Sequence, residues 1–117
     1  MKIGVIGGSG IYKIEGVPST EISVNTEYGD VTVFVAQVDG REVYFLPRHG
    51  LGHSVPPHLV NYRANIRALQ GLGAQRVIAT NAVGSLNSEI KPGTVVLVDQ
   101  FLDFTKGRRS TFFEEGK

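Results

Sequence analysis

Four stretches of this chain carry residue types that could do chemistry, and three of them suit the holding of an anion. The first is Ile6-Gly7-Gly8-Ser9-Gly10. Glycines directly after an apolar run let backbone N–H groups turn toward a negative charge, and the Ser9 hydroxyl adds a donor. The spacing is not the dinucleotide fingerprint G-x-G-x-x-G, because counting from Gly8 puts Lys13 in the last place. Nor does the Gly-Lys-Ser/Thr of a phosphate loop follow. The same residues also suit a plain tight turn after a strand.

The second stretch is Pro47-Arg48-His49-Gly50-Leu51-Gly52-His53. Arginine offers a fixed fork of donors matched to phosphate oxygens. Histidine adds a donor and titrates near neutral pH. The bland reading is a solvated arginine beside packing histidines. A metal at His49 and His53 is not favoured, since no third ligand is visible. The third stretch, Ala79-Thr80-Asn81-Ala82-Val83-Gly84-Ser85-Leu86, passes from a strand end into small residues. Backbone amides and the Asn81 side chain could meet a ligand there, and an ordinary turn explains it equally well. In the fourth, Asp99-Gln100-Phe101-Leu102-Asp103-Phe104-Thr105, two carboxylates invite an acid/base reading. A strand-end polar cluster that shapes the sheet, or a subunit contact, is preferred. Phe112-Phe113 fits core, interface or active-site wall alike.

These stretches need elements to position them. Lys2 to Ile6 is apolar and β-branched and ends in glycine, which predicts a buried strand. From about Ser19 to Leu46 residues alternate, as at Val31, Val33 and Val35. Tyr28-Gly29-Asp30 and Asp39-Gly40 mark turns, so an antiparallel meander is expected. Arg48 to Pro57 reads as a loop. Leu59, Tyr62, Ile66 and Leu69 recur at helical spacing, predicting a helix from Leu59 to about Leu72 that stops at Gly71 or Gly73. Arg76 to Thr80 and Thr94 to Val98 read as further strands, and Lys106 to Lys117 suggests no element. Strand, glycine turn, helix and strand in alternation point to an α/β fold with parallel strands. The runs Lys2–Ile6, Arg76–Thr80 and Thr94–Val98 look buried on both faces. Such strands need helices on both sides, and one good helix is visible. The sheet is therefore expected to be incomplete as a single chain, finished by further sequence or another subunit.

Composition narrows the partners. The 117 residues suit one domain, 1–117. A formal net charge of +1 gives no argument for nucleic acid or an anionic membrane. The absence of cysteine excludes disulfides and thiolate metal sites and fits a cytoplasmic location. No apolar run approaches the ~20 residues that span a bilayer.

Read in order, the motifs form a set: Ile6-Gly7-Gly8-Ser9-Gly10, Pro47-Arg48-His49-Gly50, Val60-Asn61-Tyr62-Arg63-Ala64-Asn65-Ile66, Ala82-Val83-Gly84-Ser85-Leu86, Pro92-Gly93 followed by Asp99-Gln100-Phe101, and Thr111-Phe112-Phe113. From Ile3 to Phe113 the chain resembles the methylthioadenosine phosphorylase branch of the trimeric purine nucleoside phosphorylases. The resemblance implies the N-terminal part of a phosphorylase-type twisted mixed β-sheet with flanking helices. It implies phosphorolysis: phosphate attacks the anomeric carbon of a purine nucleoside, giving free base and a sugar 1-phosphate, with no metal or organic cofactor. By position in the family motifs, Ser9, Arg48, His49 and Ala82 hold phosphate, while Gly8, His53 and Asn81 lie on the nucleoside side. No residue is assigned as catalytic. Family members often carry Thr at the Asn81 position, which leaves the exact nucleoside open. The family's chains are roughly twice as long, so its ribose- and purine-reading residues are expected beyond Lys117. Implied partners are nucleoside and phosphate, with a homo-oligomer (trimer or hexamer) or a companion C-terminal chain. The competing expectation is a non-catalytic nucleotide- or anion-binding remnant.

Overall fold

A computed structural model describes residues 1–8, 11, 14–114 and 116. Its regular elements are strands β1 (Lys2–Gly7), β2 (Ser19–Thr26), β3 (Gly29–Val38) and β4 (Arg41–Pro47), then helix α1 (Tyr62–Gly71) and strand β5 (Arg76–Ala79). The five strands make one mixed sheet in the order β2-β3-β4-β1-β5. β2, β3 and β4 form the expected antiparallel meander. Asp39 and Gly40 both have positive φ, 47° and 71°, between the paired Val38 and Arg41. That is the two-residue turn whose twist matches its flanking strands. The first hairpin turns at Glu27 and Tyr28, so Gly29 and Asp30 already belong to β3 rather than to the expected turn.

β1 lies between β4 and β5 and runs parallel to both. Side chains alternate across β3, so Val31 and Val33 face a core shared with Tyr44 and Leu46 of β4 and with Ala64, Ala68 and Leu69 of α1. Close approach on this face uses missing side chains: a Cβ on Gly4 would sit 2.9 Å from Leu69 Cδ1.

The helix begins three residues later than the sequence suggests. Pro57–Leu59 form a 3-10 turn, Val60 is extended with ψ 122°, and Asn61 caps α1 by accepting from the Ala64 amide at 3.1 Å. Its buried face also differs. Ala64, Asn65, Ala68 and Leu69 are buried, whereas Leu59, Tyr62 and Ile66 are 64%, 42% and 40% exposed. Two small alanines bring the helix close to the sheet, and large residues on the neighbouring row are left at the surface.

Two strand expectations need correction. β5 forms but is exposed along its length, with Val77 at 47% and Ile78 at 55%. Residues 94–98 form no strand, and Val95 and Leu97 are almost fully exposed. α1 packs over β2 and β3, and among the described residues no second helix covers β5. An apolar run becomes a strand by pairing, and 94–98 has no described ladder partner.

The amino ends of β1 and β4 are tied together. Lys2 Nζ lies 3.3 Å from Glu42 Oε1 and donates to the Leu72 carbonyl at 3.1 Å, while the Tyr44 hydroxyl contacts both Glu42 and that carbonyl. The hydrogen bonds from Tyr44 and then Lys2 hold the Glu42 carboxyl below its ordinary 4.5. A depressed folded value means the contribution is present above 4.5 and is lost as pH falls through the lower folded value. Glu42→Gln should therefore flatten the acid-side loss of stability, read as urea midpoints between about pH 6 and about pH 3. An unchanged slope would show that the bonds add nothing.

The same urea assay tests the packing. Leu69→Ala should cost about 2–5 kcal/mol, and loss of the cap in Asn61→Ala about 0.5–2 kcal/mol. The reverse ranking would contradict the assigned core face.

Candidate anion site at the carboxyl ends of three parallel strands

In the register of the parallel strands, Gly7 pairs with Pro47 and Ile6 with Ala79. The three following loops therefore start side by side, at Gly8, Arg48 and Thr80. The ladder continues one step into them: the Arg48 amide donates to the Gly7 carbonyl at 3.2 Å and the Thr80 amide to the Ile6 carbonyl at 3.0 Å. Carboxyl ends of adjacent parallel strands are where open α/β sheets place ligands.

Three residues meet here. Arg48 Nη1 donates to the Thr80 carbonyl at 2.5 Å, and the Gly8 amide donates to Thr80 Oγ1 at 3.3 Å. Gly8 is required by space. A Cβ there would lie 2.5 Å from the Thr80 carbonyl and 2.7 Å from Arg48 Nη1. The bond to Thr80 orients the guanidinium and uses one of its five donors. The others have no acceptor among the described residues. Thr80 Oγ1 accepts from Gly8 and keeps its own proton to give.

His49 is 6% exposed, and its Nδ1 lies 2.9 Å from the Val55 carbonyl. A carbonyl can only accept, so Nδ1 carries the proton and neutral His49 presents Nε2 as an acceptor. The Val55 amide returns a bond to the His49 carbonyl at 2.8 Å. His49 thus staples residues 49–55, and its ring stacks on His53 at a centroid distance of 4.6 Å. Gly50, at φ +69°, lets the chain turn between them.

The site residues proposed from sequence fall into three groups. Gly8 and Arg48 are in contact, and His49 and His53 stack on the loop that begins at Arg48. Asn81 and Ala82 follow Thr80 directly and are exposed. Ser9 lies outside the described residues. Thr80 lies within the third stretch, and its sequence signal is a hydroxyl directly after a strand, facing a glycine turn.

Asp99 and Asp103 stand at no strand end, which corrects the strand-end cluster. Asp103 Oδ1 accepts from the Thr105 hydroxyl at 2.7 Å and the Thr105 amide at 2.8 Å. These bonds hold its carboxyl below the usual range, the hydroxyl's first. Phe112 packs edge-on to Tyr28 at 5.7 Å, and Phe113 is exposed. Among the described residues no three His, Cys, Asp or Glu side chains gather as a metal site, and no helix is long and apolar enough to cross a membrane.

The model of the phosphorylase superfamily matches residues 2–117. The chain belongs to the phosphorylase superfamily. It is 55% identical over 114 residues to the S-methyl-5'-thioadenosine phosphorylase of Pyrococcus furiosus, covering 96% of this chain and 44% of that protein. It is 52% identical over 113 residues to the 6-oxopurine nucleoside phosphorylase of the same organism, covering 97% and 43%. Among solved structures, methylthioadenosine phosphorylase from Schistosoma mansoni in complex with tubercidin superposes with a TM-score of 0.91 at 42% identity, covering 97% of this chain and 41% of that one. The chain thus spans less than half the length of the phosphorylases it matches.

The fit around Gly8 can be probed directly. Gly8→Ala should cost about 1–3 kcal/mol by overpacking against Thr80 and Arg48. A Cβ on Gly84 meets nothing within 4 Å, so Gly84→Ala should stay within about 0.5 kcal/mol. Equal denaturant midpoints for the two variants would refute the crowding at Gly8.

Proposed function

We propose that residues 1–117 are the N-terminal half of a purine nucleoside phosphorylase domain and supply its phosphate-binding part. The reaction is phosphorolysis of the N-glycosidic bond of 5'-methylthioadenosine or a related purine nucleoside. A phosphate oxygen forms a bond to the anomeric carbon. The carbon–nitrogen bond breaks with its electron pair leaving on the base, which takes up a proton. The products are free purine and a (methylthio)ribose 1-phosphate, a step suited to purine salvage.

The observation that carries this reading is the Arg48 guanidinium, fixed by the Thr80 carbonyl across a glycine that leaves it room, with further donors unspent. A preoriented fork of this kind suits a phosphate dianion. Positive charge develops on the sugar as the glycosidic bond breaks, so phosphate held against that sugar stabilises the transition state. Ser9, Arg48, His49 and Ala82 surround phosphate in this account, with Gly8, His53 and Asn81 toward the nucleoside. His49 holds the loop beside the phosphate through its Nδ1 bond to the Val55 carbonyl. Phosphate is a co-substrate, and the chemistry calls for no metal or organic cofactor. The enzyme works in the cytoplasm as a homo-oligomer, trimeric or hexameric, or with a companion chain carrying the later sequence.

Two measurements test this. Inorganic phosphate should bind the 117-residue chain, and Arg48→Ala should weaken binding at least about tenfold. Equal affinity in both would remove the proposed site. The chain is then combined with a polypeptide carrying the remaining length of the Pyrococcus furiosus methylthioadenosine enzyme. Phosphate-dependent base release from methylthioadenosine or inosine is expected, and Arg48→Ala should abolish it. A mixture that assembles and binds phosphate without turnover would instead identify a non-catalytic anion-binding module.

A further inference from the structure

Thr80 bonds to both of the loops beside it. Its amide donates to the Ile6 carbonyl at 3.0 Å, its carbonyl accepts from Arg48 Nη1 at 2.5 Å, and its Oγ1 accepts from the Gly8 amide at 3.3 Å. The last of these departs from the rule of the sheet. Bonds in a parallel ladder are evenly spaced, and each residue reaches two positions on its partner strand. β1 and β5 keep that pattern through Ile6 and Ala79, and the bond from the Thr80 amide to Ile6 extends it by one step. The next bond in the series would run from the Gly8 amide to the Thr80 carbonyl. The Gly8 amide donates instead to the Thr80 hydroxyl, and the carbonyl is turned toward the guanidinium. It lies 2.5 Å from the place a Cβ on Gly8 would take, with Arg48 Nη1 2.7 Å from the same place.

An amide stripped of its acceptor is costly, so something must take the Gly8 N–H. A hydroxyl oxygen accepts as a carbonyl does. At position 80 it lets one residue serve two donors with two different oxygens. Without the hydroxyl, the nearest acceptor for Gly8 is the Thr80 carbonyl itself. Closing the ladder on it would swing that carbonyl toward β1 and away from Arg48.

We propose that Thr80 is a positioning residue of the anion site: its hydroxyl replaces the ladder acceptor for Gly8, which frees its carbonyl to aim Arg48. The functional consequence rests on the reading of Arg48 as a phosphate ligand. Serine at this position would do the same, and valine, which has the shape without the hydroxyl, would not.

Proton–nitrogen NMR of the 117-residue chain, without phosphate, reads the guanidinium directly. The Arg48 signals are assigned by their loss in Arg48→Ala. Rotation of the Nη groups should be restricted in the unaltered chain and in Thr80→Ser, and released in Thr80→Val. Thr80→Ala, which also lacks the hydroxyl, should match Thr80→Val and takes its place if the valine variant does not fold. Inorganic phosphate is then titrated by calorimetry. Thr80→Val should weaken its binding at least about threefold, and Thr80→Ser should stay within about twofold of the unaltered chain. A guanidinium held as firmly in Thr80→Val and Thr80→Ala as in the unaltered chain overturns the proposal, whatever phosphate does. Release in Thr80→Ser as well overturns it too, because the hydroxyl would then not be the cause. Release confined to the variants without a hydroxyl, with no phosphate bound by any chain, upholds the positioning of Arg48 and overturns the phosphate reading.

Discussion

The structure depends on one constraint of space: nothing larger than a hydrogen fits on Gly8 between the Thr80 carbonyl and the Arg48 guanidinium. Those two groups are 32 residues apart in sequence, and they meet because β1 separates their strands by one step on either side. A side chain at position 8 would push the arginine away from its carbonyl and open the ladder between β1 and β5. The glycine is therefore a packing requirement of the sheet and of the Arg48–Thr80 contact at once. Arg48 is held by the Thr80 carbonyl, directly after β5, so its aim is set from across the sheet and not by its own loop.

The two ends of that sheet are treated differently. At the amino ends of β1 and β4, Lys2, Glu42 and Tyr44 close on the last turn of α1 through the Leu72 carbonyl. Most polar groups there are spent on each other. At the carboxyl ends the loops keep donors in reserve, with Arg48 using one bond and His49 fixing the chain behind it. A stiff, satisfied end and an open, polar end are what a preorganised site needs, because donors that are already aimed do not have to be ordered when the anion arrives.

Much of this was readable in advance, for reasons that can be named. The meander followed from period-two alternation and from Asp39-Gly40, residues that accept positive φ cheaply. Gly8 and Arg48 were found because a glycine run and an arginine each follow an apolar strand. What the sequence hid was tertiary. The buried stripe of α1 is built on Ala64 and Ala68, too small to stand out against Tyr62 and Ile66. Asn65 reads as a surface residue by type and is buried. Thr80 carries no pattern of its own and matters through the strand next to it. His49 also fixes its own loop through an Nδ1 bond to Val55, six residues away, which spacing alone does not reveal.

The exposed apolar surface follows from the same topology. β5 is an edge strand, paired with β1 on one side and open on the other, and Val77 and Ile78 stand in water. An open edge of this kind is a template for another strand. After it come Val95, Leu97, Phe101 and Leu102, each at least 76% exposed, in a run that has strand composition and no strand. Burial of that much hydrocarbon is worth roughly 25 cal/mol for each Å² removed from water. The same region begins at Thr80, whose carbonyl aims Arg48. The carbonyl that aims Arg48 thus follows directly on the sheet's exposed edge strand.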